Sequence, residues 1–443
     1  MQPLATTTAV EPTQSPSPKG KMRRVGAAGF AGTLIEFYDL QIYATAAALV
    51  FPNLFFPQLG TAAATVAAFG TLGVAFVARP VGSVLFGHFG DRLGRKRTLV
   101  ITLLIMGIST VLVGLLPTGE QVGVVAPVLL IVLRVLQGIA AGGEWAGAAL
   151  FVAENAPREK RGRWAMLPSL GGALAVSLAG LAFILTSATM TDETFQSWGW
   201  RLPFLVSVVL LGVGLYIRLR TEETPVFTRE VTRTGTSAAP FMEALRKQRR
   251  EVLLGCAVEV PAFALLYLAL TYMVSFARTN LGLSYIQVLG TTVASGLFMS
   301  LGILITSRLS DHIGRRPALI ASNGLAVLWS LALFPIIEVG SLTTYAIGVA
   351  VSTLIVGFIL GPVGALMSEL FHTRYRYTAA GLCYNAAGIL GGAVPPLFAG
   401  TIIAAAGGFA FGAVLAAVCL VSFFCCVALP ETRRRDLDTP ATS

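Results

Sequence analysis

A chain of 443 residues that is 55% hydrophobic and only 12% charged carries more apolar surface than soluble cores of that size can hide. Lipid is therefore the expected solvent for most of it. The formal charge of +10 does not point to nucleic acid, because the cations sit in short clusters between apolar runs, as positive-inside topology requires.

Residues 1–24 are rich in Pro, Ser and Thr at their start and lack an apolar core, so they are predicted as a disordered cytoplasmic tail and not a cleaved signal peptide. A helix needs roughly 20 apolar residues to cross a bilayer. Twelve such runs follow, at 25–50, 63–88, 98–116, 123–153, 164–187, 201–218, 252–275, 285–309, 318–338, 342–370, 378–404 and 407–429. The fourth and tenth exceed one crossing and are expected to tilt or lie partly in the interface. Between 25–218 and 252–429 lies a charged linker, 219–251, holding Pro225 and Pro240, and 430–443 form a second tail.

The 32 Lys and Arg residues test this map. Nearly all fall on one side of it, leaving Arg201 and Arg278 near the opposite face and Arg79 and Arg134 inside the membrane. Both termini are therefore placed in the cytoplasm, and each half enters the membrane from that side. The expected fold is an all-α integral membrane protein with 12 transmembrane helices, arranged as two parallel-repeat six-helix bundles around a central cavity.

One polar stretch occurs twice. Gly87-His88-Phe89-Gly90-Asp91-Arg92-Leu93-Gly94-Arg95-Lys96-Arg97 returns, altered, as Ser307-Arg308-Leu309-Ser310-Asp311-His312-Ile313-Gly314-Arg315-Arg316, half the chain length later. Its glycines allow a tight turn and close helix approach. An aspartate at a helix end can pair with arginine or with the positive end of another helix. Such loops, formed in one conformation and released in another, would gate alternating access; the plainer reading is a positive-inside anchor.

The chain resembles the major facilitator superfamily, and within it the metabolite:proton symporters, which include carriers of 2-oxoglutarate, citrate, shikimate, and proline or betaine. The resemblance runs from about residue 26 to 435. Its motifs are Glu36-Phe37-Tyr38-Asp39-Leu40 with Tyr43, Arg79-Pro80-Val81-Gly82 leading into the first loop copy, and Arg134-x-x-Gln137-Gly138 followed by Gly142-Gly143-Glu144-Trp145-x-Gly147. Trp198-Gly199-Trp200-Arg201-Leu202-Pro203-Phe204, Glu222-x-Thr224-Pro225-x-Phe227 and Glu369-Leu370-Phe371-x-Thr373-Arg374-x-Arg376-Tyr377 complete the series. Phe37 stands where the family usually has Trp, and Ser307 and His312 replace Gly and a basic residue in the second loop copy.

Charges within the spans mark a pathway, because they are costly in lipid unless paired or hydrated. Glu36 and Asp39 are three residues apart and share a helix face. The resemblance implies that spans 1 and 4 line the central cavity. Asp39, with Glu36 beside it, is thus expected to accept the proton, and Arg134 to be its exchangeable partner and the anchor of an anionic substrate. A static ion pair between those spans is the alternative. Glu144, ten residues beyond Arg134, and Arg79 near the loop are assigned to the cytoplasmic gate with Gly87, Asp91, Arg92, Gly94, Arg95, Asp311, Gly314, Arg315, Glu154 and Glu369. Glu259, beside Pro261, is either a substrate determinant or a buried neutral carboxyl. Tyr38, Tyr43, Tyr267, Tyr272 and Tyr384, with Asn385, are expected in the pocket wall, since they join apolar faces to hydrogen bonds.

The five cysteines, Cys256, Cys383, Cys419, Cys425 and Cys426, lie in apolar segments without metal-ligand spacing, and read as small buried hydrophobes. No phosphate-cradling Gly-rich loop and no nucleophile–base constellation stands out. No metal and no cofactor is expected, a proton gradient being the driving force, and no enzymatic activity.

The sequence thus reads as a multi-pass transporter of the cell (cytoplasmic) membrane, with lipid, protons and a small molecule as partners and no nucleic acid; the family implies a monomer. Proton-coupled symport of a small organic acid or zwitterion leads over proton-driven export, because span 5 reads Pro168-Ser169-Leu170-Gly171-Gly172-Ala173 without the Gly-Pro pair common in the superfamily's exporters. A passive channel is disfavoured by the paired loops and buried charges.

Overall fold

The computed structural model describes residues 18–220, 240–433 and 435–437. Helix α1 (Pro18–Leu49), α2 (Thr61–Leu93), α3 (Arg95–Leu115), α4 (Val125–Asn155), α5 (Leu167–Thr189) and α6 (Leu202–Leu219) make the N-terminal bundle. The C-terminal bundle begins with α7 (Arg249–Tyr267), which continues through a wide turn, Leu268–Tyr272, into Met273–Thr279. It goes on with α8 (Tyr285–Ile313), α9 (Arg315–Ile337) and α10 (Leu342–Leu370). Helix α11 (Arg376–Ala387) passes through a second wide turn, Gly388–Ala393, into α12 (Val394–Ala428).

Gly407, at φ 83° and ψ 164°, breaks α12. The chain doubles back there: Gly408 lies at Phe334, near the end of α9, whereas Asn323 bonds Cys426 and Glu431 caps the start of α9. Residues before Gly407 therefore complete an eleventh crossing and those after it make a twelfth. Among the described residues, ten helices meet the length and hydropathy of a membrane span. The first crossing, diluted by Glu36 and Asp39, and the eleventh are not among them.

The two loop copies have the same backbone. Gly94 joins α2 to α3 at φ 104°, and Gly314 joins α8 to α9 at φ 110°, a region costly for any residue with a Cβ. Elsewhere glycine serves close approach: a Cβ on Gly142 of α4 would run into the Arg79 carbonyl and Ser83 amide of α2. The bundles meet along two seams, α2 with α11 and α5 with α8. Large apolar residues such as Val66, Val209, Leu328 and Phe424 are exposed on the outer surface, where lipid satisfies them.

Two expected boundaries shift. The first helix starts at Pro18, inside the tail predicted over 1–24, so its basic residues ride on helix. Of the predicted linker, 221–239 lie outside the described residues, and Pro240–Lys247 is a short helix.

Candidate functional site

The cytoplasmic end is closed by a doubled lattice of buried ion pairs. Asp91, at the end of α2, accepts hydrogen bonds from the backbone N–H groups of Tyr377 (3.3 Å) and Thr378 (3.1 Å) and from the Thr378 hydroxyl (2.9 Å). It thereby caps α11, a helix of the other bundle, whose exposed amides favour a negative charge. Arg95 pairs with Asp91 at 3.1 Å and with Glu154 at 3.4 Å.

The second copy repeats this in the opposite direction. Asp311 accepts from the N–H groups of Gly162 (2.8 Å) and Arg163 (2.9 Å), which begin the short helix Arg161–Ala165 leading into α5. Arg315 pairs with Asp311 at 2.7 Å and Glu369 at 3.2 Å. Two further arginines cross between bundles: Arg376 reaches Glu154 at 3.0 Å and Arg161 reaches Glu369 at 3.0 Å. Sequence reading gave these two no role, although each stands seven residues after a glutamate, Glu154–Arg161 and Glu369–Arg376, a spacing visible in both halves.

His312 does not weaken the second lock, because its side chain is exposed and the contacts come from Asp311 and Arg315. Arg92 is also exposed, beside His88 at 3.1 Å, and takes no part in the lattice. The C-terminal segment braces it: the Thr432 hydroxyl donates to Glu369 at 2.8 Å, and Leu437 accepts from Thr373 at 3.0 Å.

Above the lattice lies an aromatic layer. Tyr384 of α11 stacks on Trp145 of α4 at 3.9 Å and meets Phe263 edge-on at 4.9 Å. Tyr377 and Asn385 donate to the carbonyls of Gly143 (2.6 Å) and Gly142 (2.8 Å) on α4. Tyr384 and Asn385, expected in the substrate pocket, make these closing contacts, and Tyr384 also lines a small cleft that shares Phe37 and Leu266 with the cavity above.

Beyond this layer, a cavity of about 430 Å³ opens between the bundles, lined by Phe37, Leu72, Phe76, Leu266, Tyr267 and Tyr272 among others. The lining comes from the later residues of α7 and the earlier residues of α2, which places the cavity in the half of the membrane away from the lattice. Gly73 and Thr271 at its rim are exposed. The molecule is thus shut to the cytoplasm and open outward.

A small polar cleft adjoins this cavity. Leu40 lines both, and Glu36, Arg79, Arg134 and Gln137 complete the cleft. Arg79 lies 3.9 Å from Glu36 and rests on the ring of Phe76, so it belongs to the cleft and not to the gate predicted for it. Arg134 is buried with its guanidinium 3.6 Å from the centre of the Tyr43 ring.

Asp39 is not ion-paired to Arg134 in this structure. It accepts hydrogen bonds from the hydroxyls of Thr110 (2.6 Å) and Ser207 (3.0 Å). Gln137 joins the two charges, accepting from Arg134 at 2.9 Å and donating to Thr110 at 2.7 Å. The predicted direct partnership is thus a relay, Arg134–Gln137–Thr110–Asp39. Thr110 and Ser207 left no mark in the sequence, for a hydroxyl in an apolar run is commonplace. The Glu36 and Asp39 side chains also diverge, one toward α2 and the other toward α3 and α6.

Other expected site residues are elsewhere. The Tyr38 hydroxyl donates to the Pro203 carbonyl on α6 (3.0 Å), and Tyr43 bonds Thr71 (2.6 Å) while supporting Arg134. Glu259 is fully buried and, among the described residues, has no hydrogen-bond partner. Of the predicted tyrosines, Tyr267 and Tyr272 line the cavity.

Glu144 is paired within the N-terminal bundle, not across the gate. Its carboxylate binds Arg218 of α6 and accepts from the Thr102 hydroxyl at 2.5 Å. Arg218, counted from sequence with the cytoplasmic cations, is buried. Removing one partner of such a pair costs about 3–5 kcal/mol, whereas replacing both can be neutral. Glu144→Gln is therefore expected to lower the melting temperature in detergent, and Glu144→Gln with Arg218→Met to recover most of the loss. A single variant that melts like the parent would contradict this.

The model of the Major Facilitator Superfamily matches residues 30–396. The chain is 40% identical over 438 residues to the inner membrane metabolite transport protein YhjE of Escherichia coli (strain K12), covering 98% of this chain and 100% of that one. It is 34% identical over 419 residues to the shikimate transporter of the same organism, covering 94% and 96%. Among solved structures, the proton:xylose symporter XylE bound to 6-bromo-6-deoxy-D-glucose superposes with a TM-score of 0.77 at 16% identity, covering 95% of this chain and 98% of that one. That last likeness is one of fold.

Proposed function

Because the chain belongs to the Major Facilitator Superfamily, whose members are transporters and not enzymes, we propose that it is a proton-coupled symporter of the cytoplasmic membrane, taking up a small organic acid or zwitterion by alternating access. The observation that carries this reading is Asp39: a buried carboxylate in the middle of α1, held by two hydroxyls and not by a cation, and linked by one amide and one hydroxyl to a buried arginine beside the cavity. Charge at that depth is costly unless compensated, so proton and substrate occupancy are coupled through the relay.

The sequence of events follows from the two ends of the molecule. With the lattice formed, substrate enters the outer cavity and its anionic group engages Arg134, while Asp39 takes up a proton. With both charges compensated, the outer walls can close over the substrate, hinged on the α2–α7 contact where Phe76 and Tyr267 meet edge-on at 5.2 Å. The lattice then yields and the bundles rock about the fixed site. A ligand shifts such an equilibrium only by its differential affinity for the two states, which is why both charges must be met before the gate gives way. The metabolite and shikimate transporters among the relatives support the substrate class.

The test is uptake into proteoliposomes under an imposed inward proton gradient, with labelled 2-oxoglutarate, citrate, shikimate, aromatic acids, proline and betaine. Accumulation of one compound, abolished by a protonophore, is the expected outcome. Substrate-driven proton movement in the opposite direction, with no uptake, would replace symport by export.

A further inference from the structure

The charge count of the cleft narrows the substrate further, on the premise that the reading above is correct. Three ionisable groups line it: Glu36, Arg79 and Arg134. Glu36 and Arg79 answer each other at 3.9 Å. Arg134 spends Nη1 on Gln137, and among the described residues no acceptor reaches its Nε or Nη2, although the residue is only 2% exposed. Those two nitrogens form one edge of the guanidinium, with parallel N–H groups spaced for the two oxygens of a single carboxylate. The Tyr43 ring packs against the face of the group, 3.6 Å from its central carbon.

The adjoining cavity has another character. Its walls are largely carbon, from Phe37, Leu72, Phe76, Leu266 and Leu270, and its polar atoms are uncharged: the Gln41 amide and the hydroxyls of Tyr267, Thr271, Tyr272 and Ser275. Among the described residues no Lys, Arg or His lines it. At about 430 Å³ it is within the range of small-molecule sites, and its aromatic walls suit a flat or ring-shaped body.

We infer that this chain carries monocarboxylates with an uncharged, ring-sized body, the carboxylate on the Nε/Nη2 edge of Arg134 and the body in the adjoining cavity, against the wall that Phe76 and Tyr267 share. A second carboxylate in the cavity would meet no unanswered cation, because Arg79, behind Phe76 and Tyr267, already faces Glu36. A permanently cationic head group would bring a like charge beside the arginines.

Binding to the purified protein, read by thermal stabilisation and by competition, tests this without requiring transport. Benzoate and cyclohexanecarboxylate are expected to bind saturably. Benzene-1,3-dicarboxylate and citrate are expected to bind at least about tenfold more weakly, since the extra charge is buried unpaired. Arg134→Gln should weaken benzoate by about 10- to 100-fold, and Arg134→Lys should not restore it, because an ammonium lacks the two-donor edge. Equal or tighter binding of the dicarboxylate, of citrate or of betaine would overturn the inference, as would no saturable binding of either monocarboxylate. If benzoate binds as described but proton-driven uptake fails, the symport reading falls and the substrate class stands.

Discussion

Asp39→Asn is expected to abolish accumulation while leaving downhill exchange of substrate. At one proton per substrate, each unit of imposed pH difference supports a tenfold concentration ratio, about 1.4 kcal/mol. Two units thus allow accumulation of about 100-fold in the parent protein and about onefold in the variant. The amide keeps the size of the side chain and can still accept from Thr110 or Ser207, but it neither binds nor releases the proton. Exchange down a substrate gradient needs no proton flux, so its survival separates a coupling role from a structural one. A variant that still accumulates substrate against its gradient would remove Asp39 from the coupling step, and one that loses exchange as well would return the residue to the static role.

The second large effect concerns the cytoplasmic lattice. Asp91→Asn and Asp311→Asn each uncouple a buried arginine, Arg95 or Arg315, from its neighbour on the same loop and weaken the cap on a helix of the opposite bundle. Breaking a buried pair costs about 3–5 kcal/mol. A loss of 3 kcal/mol from the closed state alone changes the balance between closed and inward-open forms by more than about 100-fold. Spin labels placed at the exposed positions Arg158 and His312, on opposite bundles, should report a longer distance in both variants. The two effects should be similar, since each aspartate receives two backbone N–H groups of the other bundle and one guanidinium. An unchanged distance distribution in either variant would mean that the lattice does not hold the bundles together.

Much of the architecture could be read in advance because its signals are local. Hydropathy marks a span whatever packs against it, and the clusters of Lys and Arg orient the chain one loop at a time. The doubled loop was legible for the same reason, and the structure found Gly94 and Gly314 in matching backbone conformations. The last two spans, read separately as 378–404 and 407–429, likewise part at Gly407, whose φ of 83° interrupts the helix, and the contacts of Gly408 and Cys426 with α9 show the reversal.

The candidate site was legible as a list of residues and not as an arrangement. Glu36, Asp39, Arg79 and Arg134 stand out because charge in an apolar run is conspicuous. Which of them pair was not visible, since a helical sequence records distance along the axis while partners are chosen by direction around it. Arg79 was assigned to the gate by its depth and found beside Glu36 by its direction. Glu144 was assigned likewise, and its partner Arg218 sits 74 residues away on another helix.

By itself, then, the sequence determined that this protein crosses the membrane twelve times from the cytoplasmic side, that its halves repeat, and that a few charges lie within its spans. Those conclusions rest on transfer energies and short-range spacing, which act wherever the chain goes. The tertiary structure alone decided that each loop caps a helix of the other half, that Arg134 reaches Asp39 only through Gln137 and Thr110, and that one buried edge of that arginine has no hydrogen-bond partner among the described residues. Those facts depend on the angle at which each helix presents its side chains to its neighbours, and that angle is set when the helices pack.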